Sequence, residues 1–342
     1  MWLMNAVRYG GIMKSLKKII ALALVAVLAL SFAACGKEEK TTLDRELKVY
    51  TLMGPTGIGM SKLINDSKNA PDSLKLKYDF NIASAPDQIS AEVIKGNYDI
   101  AAVPVNLASV LYKKTGGELY VAGVNTLGVL YILENGNTIN SVADLKGKTL
   151  YATGKGSNPE YVLNYILTKN GIDPEKDITI EYVAEHSELA TKMSAGDVVL
   201  GMLPEPNVTA AMVGNKDIRI ALDLTAEWKK VADADMVQGC IIINKKFADE
   251  NPGVVKEFLT EYAASVDFVN KNIDDAAAMC EAAGIIPKAA VAKKAIPNCN
   301  IVMIKGDDMK NMVRGMLDVL FNANPASVGG EMPADSFYLI VK

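Results

Sequence analysis

The feature that most constrains this chain is an alternation of strand and helix signals that begins at Leu47–Met53. That apolar stretch meets the turn Gly54-Pro55-Thr56-Gly57-Ile58-Gly59, and Met60, Leu63 and Ile64 then recur at helical spacing. Repeated strand-turn-helix units argue for α/β layers built on parallel sheets. A helix N-terminus presents unpaired N–H groups, so such a turn is a natural place to hold a small polar ligand.

The spelling of this turn also invites a nucleotide reading, which the residues exclude. Gly54 through Ser61 follows a phosphate-loop pattern except at the lysine, where Met60 stands. An apolar thioether cannot meet the β- and γ-phosphates. The glycines run G-x-x-G-x-G, so the dinucleotide fingerprint fails as well. The remaining choice is between a plain structural turn and one wall of a site for a small solute.

The alternation continues. Leu74 to Ile82 reads as a strand ending at Ser84-Ala85-Pro86-Asp87, and Tyr98 to Val103 as a strand ending at Pro104-Val105-Asn106. Ligands in open α/β sheets sit outside the carboxyl ends of strands, so Gly54–Gly57, Ser84–Asp87 and Asn106 should gather on one rim. Leu119–Val124 and Gly128–Leu133 are two more apolar strands, where the chain is expected to cross into a second domain. Strands follow at Lys148–Thr153, Ile178–Val183, Val198–Leu203 and Ile218–Leu222, then an irregular region to Asp235. Between the first two, Ser157 or Asn158 is placed to cap a helix that Pro159 suits at its start. Gly239–Asn244 returns the chain as a fully apolar strand. From Pro252 a 3.6-residue stripe through Val255, Phe258, Leu259, Tyr262, Ala263, Val266 and Val269 predicts one face of a long helix packed on a core. Helices around Ala276–Ala283, Lys288–Ala295 and Asp308–Phe321 complete the scaffold.

The N-terminus reads as a targeting segment, residues 1–34. From Met13, a better start than Met1, a positive stretch Lys14-Ser15-Leu16-Lys17-Lys18 precedes an apolar run of 16 residues, Ile19 to Ala34. That run is shorter than the roughly 20 residues a spanning helix needs. It closes at Phe32-Ala33-Ala34-Cys35, which resembles a bacterial lipoprotein signal, with Cys35 as the lipidated N-terminus. Residues 35–46 are expected to be a flexible tether. The formal net charge is −4, and removal of Arg8, Lys14, Lys17 and Lys18 leaves −8, so no electrostatic footprint for nucleic acid is present. Cys240, Cys280 and Cys299 make no C-x-x-C pair, and His186 is the single histidine, leaving little material for a zinc or His-based catalytic site. No metal or cofactor is expected. Cys280 and Cys299 are read as buried free thiols, with a disulfide between them as the alternative.

Taken in order, these segments carry a resemblance. The lipoprotein signal, the first strand-turn-helix, Ser141-Val142-Ala143-Asp144-Leu145-Lys146-Gly147-Lys148, Asn170-Gly171-Ile172-Asp173-Pro174, Ser194-Ala195-Gly196-Asp197, Pro204-Glu205-Pro206 and Asn244-Lys245-Lys246-Phe247-Ala248 resemble the substrate-binding proteins of ABC importers. The likeness is to the nitrate/sulfonate/taurine-type branch, which also takes in thiamine-pyrimidine-precursor binders. It implies a type II periplasmic-binding-protein-like α/β fold, with two lobes joined by two crossing segments and a ligand cleft between them. Lobe 1 would be residues 47–124 plus 239–342, and lobe 2 residues 125–238. It implies a monomeric protein held to the membrane only by its lipid, which hands a small solute to a permease and its ATPase and catalyses nothing.

Candidate ligand contacts are Gly54, Pro55, Thr56, Gly57, Ser84, Ala85 and Asn106 from the first lobe. Lys155, Ser157, Asn158 and Glu205 come from the second, with Thr126 and Gln238 near the crossings. Each has a plainer alternative: Ser84 could only cap its helix, Lys155 could be a solvated charge, and Glu205 could serve its helix dipole. These turns hold one lysine and neither arginine nor tryptophan, which favours a small neutral or heterocyclic organic solute. A basic heterocycle would use Glu205 with Met53, Met60 or Met202 beside it. Two other classes share the fold: a lipid-anchored sensor, and an enzyme resembling pyrimidine-precursor synthases or chorismate dehydratases. The former enzymes would be expected to need a histidine and a cysteine cluster, whereas His186 is read as a solvated or capping residue.

Overall fold

In the computed structural model, residues 41–341 are described, and two mixed sheets organise them. The six-stranded sheet has the order β11-β4-β10-β3-β1-β2. It contains β1 (Leu47–Leu52), β2 (Tyr78–Ala83), β3 (Ile100–Pro104), β4 (Leu119–Leu127), β10 (Val237–Asn244) and β11 (Ile301–Ile304). The five-stranded sheet, order β7-β6-β8-β5-β9, contains β5 (Leu130–Asn135), β6 (Thr149–Ala152), β7 (Thr179–Tyr182), β8 (Leu200–Pro204) and β9 (Ile218–Asp223). The chain leaves the first sheet through the end of β4 and returns to it along β10.

The sheets are mixed, not parallel as the alternation predicts. β1 pairs parallel with β2 and β3, and β6 parallel with β7 and β8, but β10 runs antiparallel to both β3 and β4 and β5 antiparallel to both β8 and β9. The reversal belongs to crossing strands: β5 enters the second sheet straight from β4, and β10 re-enters the first between β3 and β4. Strands buried on both faces read as continuous apolar runs. Accordingly Cys240, Ile241, Ile242 and Ile243 of β10 are fully buried between β3 and β4. In β1, Leu47 and Val49 are buried while Lys48 is exposed.

The long helix Pro252–Lys271 buries Val255, Phe258, Leu259, Tyr262, Val266 and Val269 as the stripe predicts. The region before Asp235 is not irregular. Asp223 accepts hydrogen bonds from the N–H groups of Thr225 (2.8 Å) and Ala226 (3.3 Å), capping a helix over Leu224–Val231 that buries Trp228. The indole N–H of Trp228 donates to the Ala234 carbonyl at 2.6 Å. Similarly, Asn244 accepts from the Phe247 N–H and starts a helix over Lys245–Glu250.

The expected signal segment and Cys35 lie outside the described residues. Residues 41–46 of the expected tether are described. Leu43 packs against the core beneath β1, and the Arg45 guanidinium donates to both Asp99 carboxylate oxygens, at 2.5 and 2.7 Å. Cys240, Cys280 and Cys299 are buried free thiols. Burial pushes the Cys280 thiol up to about 11. Among the described residues no helix is long and apolar enough to cross a membrane.

Candidate functional site

The carboxyl ends of strands from the two sheets meet around a cleft of about 440 Å³. From the six-stranded side, β1 delivers Met53, Gly54, Pro55 and Thr56, β2 delivers Ser84 and Pro86, and β4 delivers Thr126. From the five-stranded side, β6 delivers Ser157, Asn158 and Pro159, β7 delivers Glu185, His186 and Ser187, and β8 delivers Pro204, Glu205, Pro206 and Asn207. Gln238, at the start of the returning strand β10, lies between them, and Ile285 and Pro287 close one side.

The turn after β1 is held in place before any ligand arrives. Gly54 adopts φ 79°, a left-handed conformation that glycine takes at little cost, and its N–H donates to the Ile285 carbonyl at 2.9 Å. Pro55 then opens a single helical turn, where its missing N–H leaves no bond unmade. The Thr56 carbonyl accepts from Asn125 Nδ2 at 3.0 Å, tying the turn to the end of β4.

Opposite, Asn158 is 2% exposed. Its Nδ2 donates to Gln238 Oε1 at 2.8 Å and to the Val237 carbonyl at 3.4 Å. Ser157 holds the N-cap position expected of it, but its hydroxyl makes no cap bond and instead turns back to donate to the Gly154 carbonyl at 2.7 Å. Glu205 is 1% exposed, and its carboxylate accepts from the Thr209 N–H (3.0 Å) and hydroxyl (2.9 Å) and from Asn298 Nδ2 (3.5 Å). Burial raises its pKa above the ordinary carboxylate value, and the hydrogen bonds from Thr209 and Asn298 only partly oppose this.

Four of the expected contacts do not line the cleft. Gly57 is buried behind the turn, where a Cβ would lie 2.2 Å from the Leu52 carbonyl oxygen, so this glycine serves a close backbone approach. Ala85 precedes the helix Pro86–Lys95 without joining the lining. Asn106 is buried under the C-terminal turn and donates to the Ser327 carbonyl at 3.4 Å. Lys155 is exposed, its ammonium 5.5 Å from the Tyr182 ring centroid. Met60 and Met202, suggested as thioether partners, are fully buried; Met53, 40% exposed, is the methionine of the lining.

The sequence reading missed His186. It is half-buried in the cleft wall, not solvated, with Nδ1 2.6 Å from the Thr153 hydroxyl. Desolvation lowers its pKa despite the nearby Glu185 carboxylate. The rule that turns after strands face the cleft, applied to β7 as to β6 and β8, points to Glu185–Ser187. Ile285 and Pro287 follow no strand and carry no such signal.

The lining contains two carboxylates and no lysine or arginine. Among the described residues no group of three or more His, Cys, Asp or Glu is placed to hold a metal ion. Three bonds link the turn before β11 to the five-stranded half: Tyr131 OH donates to the Asn298 carbonyl (3.3 Å), Asn298 Nδ2 donates to Glu205, and Asn300 Nδ2 donates to the Gly128 carbonyl (2.6 Å).

Residues 72–286 match the family described as the periplasmic substrate-binding protein of phosphonate ABC transporters. The chain belongs to that family. Among curated proteins, this chain is 26% identical over 187 residues to the putative binding protein YtlA of Bacillus subtilis, and the match spans 53% of this chain and 54% of that relative. Solved structures share the fold. An ABC transporter protein from Parabacteroides distasonis superposes with a TM-score of 0.73 at 24% identity, covering 87% of this chain and all of that one. The aliphatic sulphonate binding protein SsuA of Escherichia coli gives 0.69 at 18% identity, covering 83% and 94%. The nitrate-binding protein NrtA of Synechocystis gives 0.51 at 12%, covering 70% and 66%. The family is one of periplasmic substrate-binding proteins, and SsuA and NrtA are binding proteins for an aliphatic sulphonate and for nitrate.

Proposed function

We propose that this chain captures a small organic solute between two lobes outside the cytoplasm and delivers it to an ABC permease and its ATPase, as a monomer anchored through a lipid on Cys35. The two lobes are residues 47–124 with 239–342, and residues 125–238. The observation that carries this is the cleft itself: turns from both sheets converge on one concavity of about 440 Å³, in the range that encloses a small ligand. No nucleophile–base–orienter set is needed, and the protein acts by binding.

Ligand contacts on both walls favour the closed arrangement over an open one, and a permease reads that difference. The pivots are the crossings near Thr126 and Gln238. Seven lining residues, Pro55, Pro86, Pro104, Pro159, Pro204, Pro206 and Pro287, are prolines, whose fixed φ keeps the walls pre-shaped.

A thermal-shift screen of small organic solutes tests the reading, with Ser84→Trp as the control. Ser84 is exposed at the cleft wall, so an indole there occupies the cleft without disturbing the core. At least one solute class should raise the melting temperature of the wild type and not of S84W. A broad screen with no stabilising solute would sink the proposal.

A further inference from the structure

Two polar atoms in the cleft wall have no partner. Asn158 Oδ1 and Gln238 Nε2 are both covered by neighbouring atoms and hydrogen-bonded to nothing, and both residues line the cleft, so a solute reaches these atoms only when the cleft opens. Their orientation is fixed by their neighbours. Asn158 places its nitrogen against the Val237 carbonyl, so the Gln238 atom that meets this nitrogen is an oxygen. The pair therefore retains one unused acceptor, on Asn158, and one unused donor, on Gln238. Native proteins rarely leave such atoms unmet, because a buried polar group without a partner forfeits the bonds it made to water.

We propose that this pair recognises a cis-amide edge, an adjacent N–H and C=O as in a pyrimidinone, a lactam or a cyclic ureide. The solute N–H donates to Asn158 Oδ1, and its carbonyl accepts from Gln238 Nε2. The inference deepens the solute-binding function proposed above and rests on it. It also gives closure a cause: shutting the cleft over the two atoms is costly when empty and is relieved when the complementary edge is present.

The rest of the wall agrees with an uncharged or singly positive solute. Three backbone N–H groups in the turns and helix start beside the cleft are met by the protein's own acceptors. Glu205 takes the Thr209 N–H at the start of the helix Asn207–Gly214, Gln88 Oε1 takes the Ser84 N–H, and Glu160 Oε2 takes the Gly156 N–H. Glu205 and Glu185 would repel an anion, and no lysine or arginine of the lining compensates.

Titration calorimetry on the full chain with four probes tests this: uracil, 1,3-dimethyluracil, methanesulfonate and methylphosphonate. Uracil should bind, and 1,3-dimethyluracil, which keeps the ring but has no N–H, should not. Gln238→Glu, which keeps the oxygen that meets Asn158 and removes the donor, should weaken uracil by about tenfold or more, as expected for one buried hydrogen bond. If that variant does not fold, Gln238→Met removes the same donor at similar size. Equal binding of the two uracils, or uracil affinity unchanged in both Gln238 variants, overturns the inference. Binding of methanesulfonate or methylphosphonate without uracil overturns it while leaving solute binding intact. Failure of all four probes overturns it too, and the broad thermal-shift screen then decides separately whether the protein binds solutes at all.

Discussion

Thr209 holds the buried Glu205 carboxylate with both of its donors, the backbone N–H at 3.0 Å and the hydroxyl at 2.9 Å. Among the described residues Glu205 has no cationic partner, so these bonds and the longer one from Asn298 carry its solvation. Thr209→Val keeps the shape and the N–H and removes the hydroxyl. It should cost about 1–3 kcal/mol, the range for losing a hydrogen bond to a buried charged group, measured as a lower urea midpoint with unchanged slope.

The same carboxylate sets a pH dependence. Burial raises the pKa of Glu205 in the folded state, so between the unfolded glutamate value of about 4.3 and that raised value the folded protein holds the extra proton. Stability from this group is therefore full below the unfolded value and falls as pH rises through the folded one. Glu205→Gln should lose this component, so the two proteins' melting temperatures should converge toward acid pH and diverge as pH rises. A constant difference across that window would contradict the assignment.

His186 gives the opposite slope. Its folded-state pKa is lowered by desolvation, so as pH falls through the ordinary histidine value of about 6.5 the unfolded chain takes up a proton that the folded one resists. Stability from this group is present above that value and is lost below it. His186→Asn, still able to meet the Thr153 hydroxyl, should flatten the melting profile between neutral and mildly acid pH.

Gly57→Ala is expected to destabilise by about 1–3 kcal/mol, because its Cβ would sit 2.2 Å from the Leu52 carbonyl oxygen and the backbone must shift. Thermal unfolding reads this directly. A variant with wild-type stability and altered solute affinity would return Gly57 to the site.

Local pattern made the scaffold legible and left the site half visible. The apolar run of β10 and the stripe of the helix Pro252–Lys271 could be read because burial on a regular element repeats with a fixed period. Gly54, Thr56 and Ser84 could be placed on one rim, and Ser157, Asn158 and Glu205 on the facing wall, because strand ends in these sheets face the cleft. Gly57 misled because a glycine required for close backbone approach looks the same in sequence as one required for a ligand. The direction of β10 and β5 was hidden, since reversal depends on how the chain crosses between sheets and not on side-chain pattern. His186 was missed because its surroundings, Thr153 on a different strand end among them, are assembled only by folding.

The central claim is that the cleft between the two sheets holds a small solute. Native mass spectrometry of the protein as purified tests it most directly, compared with S84W and with wild type that has been unfolded, dialysed and refolded. The account predicts a one-to-one small-molecule adduct on the wild type, absent from both comparison samples and restored to refolded wild type by the extracted solute. An adduct carried equally by S84W would place binding elsewhere, and a bare wild-type mass that stays bare after incubation with a broad solute mixture would contradict the claim.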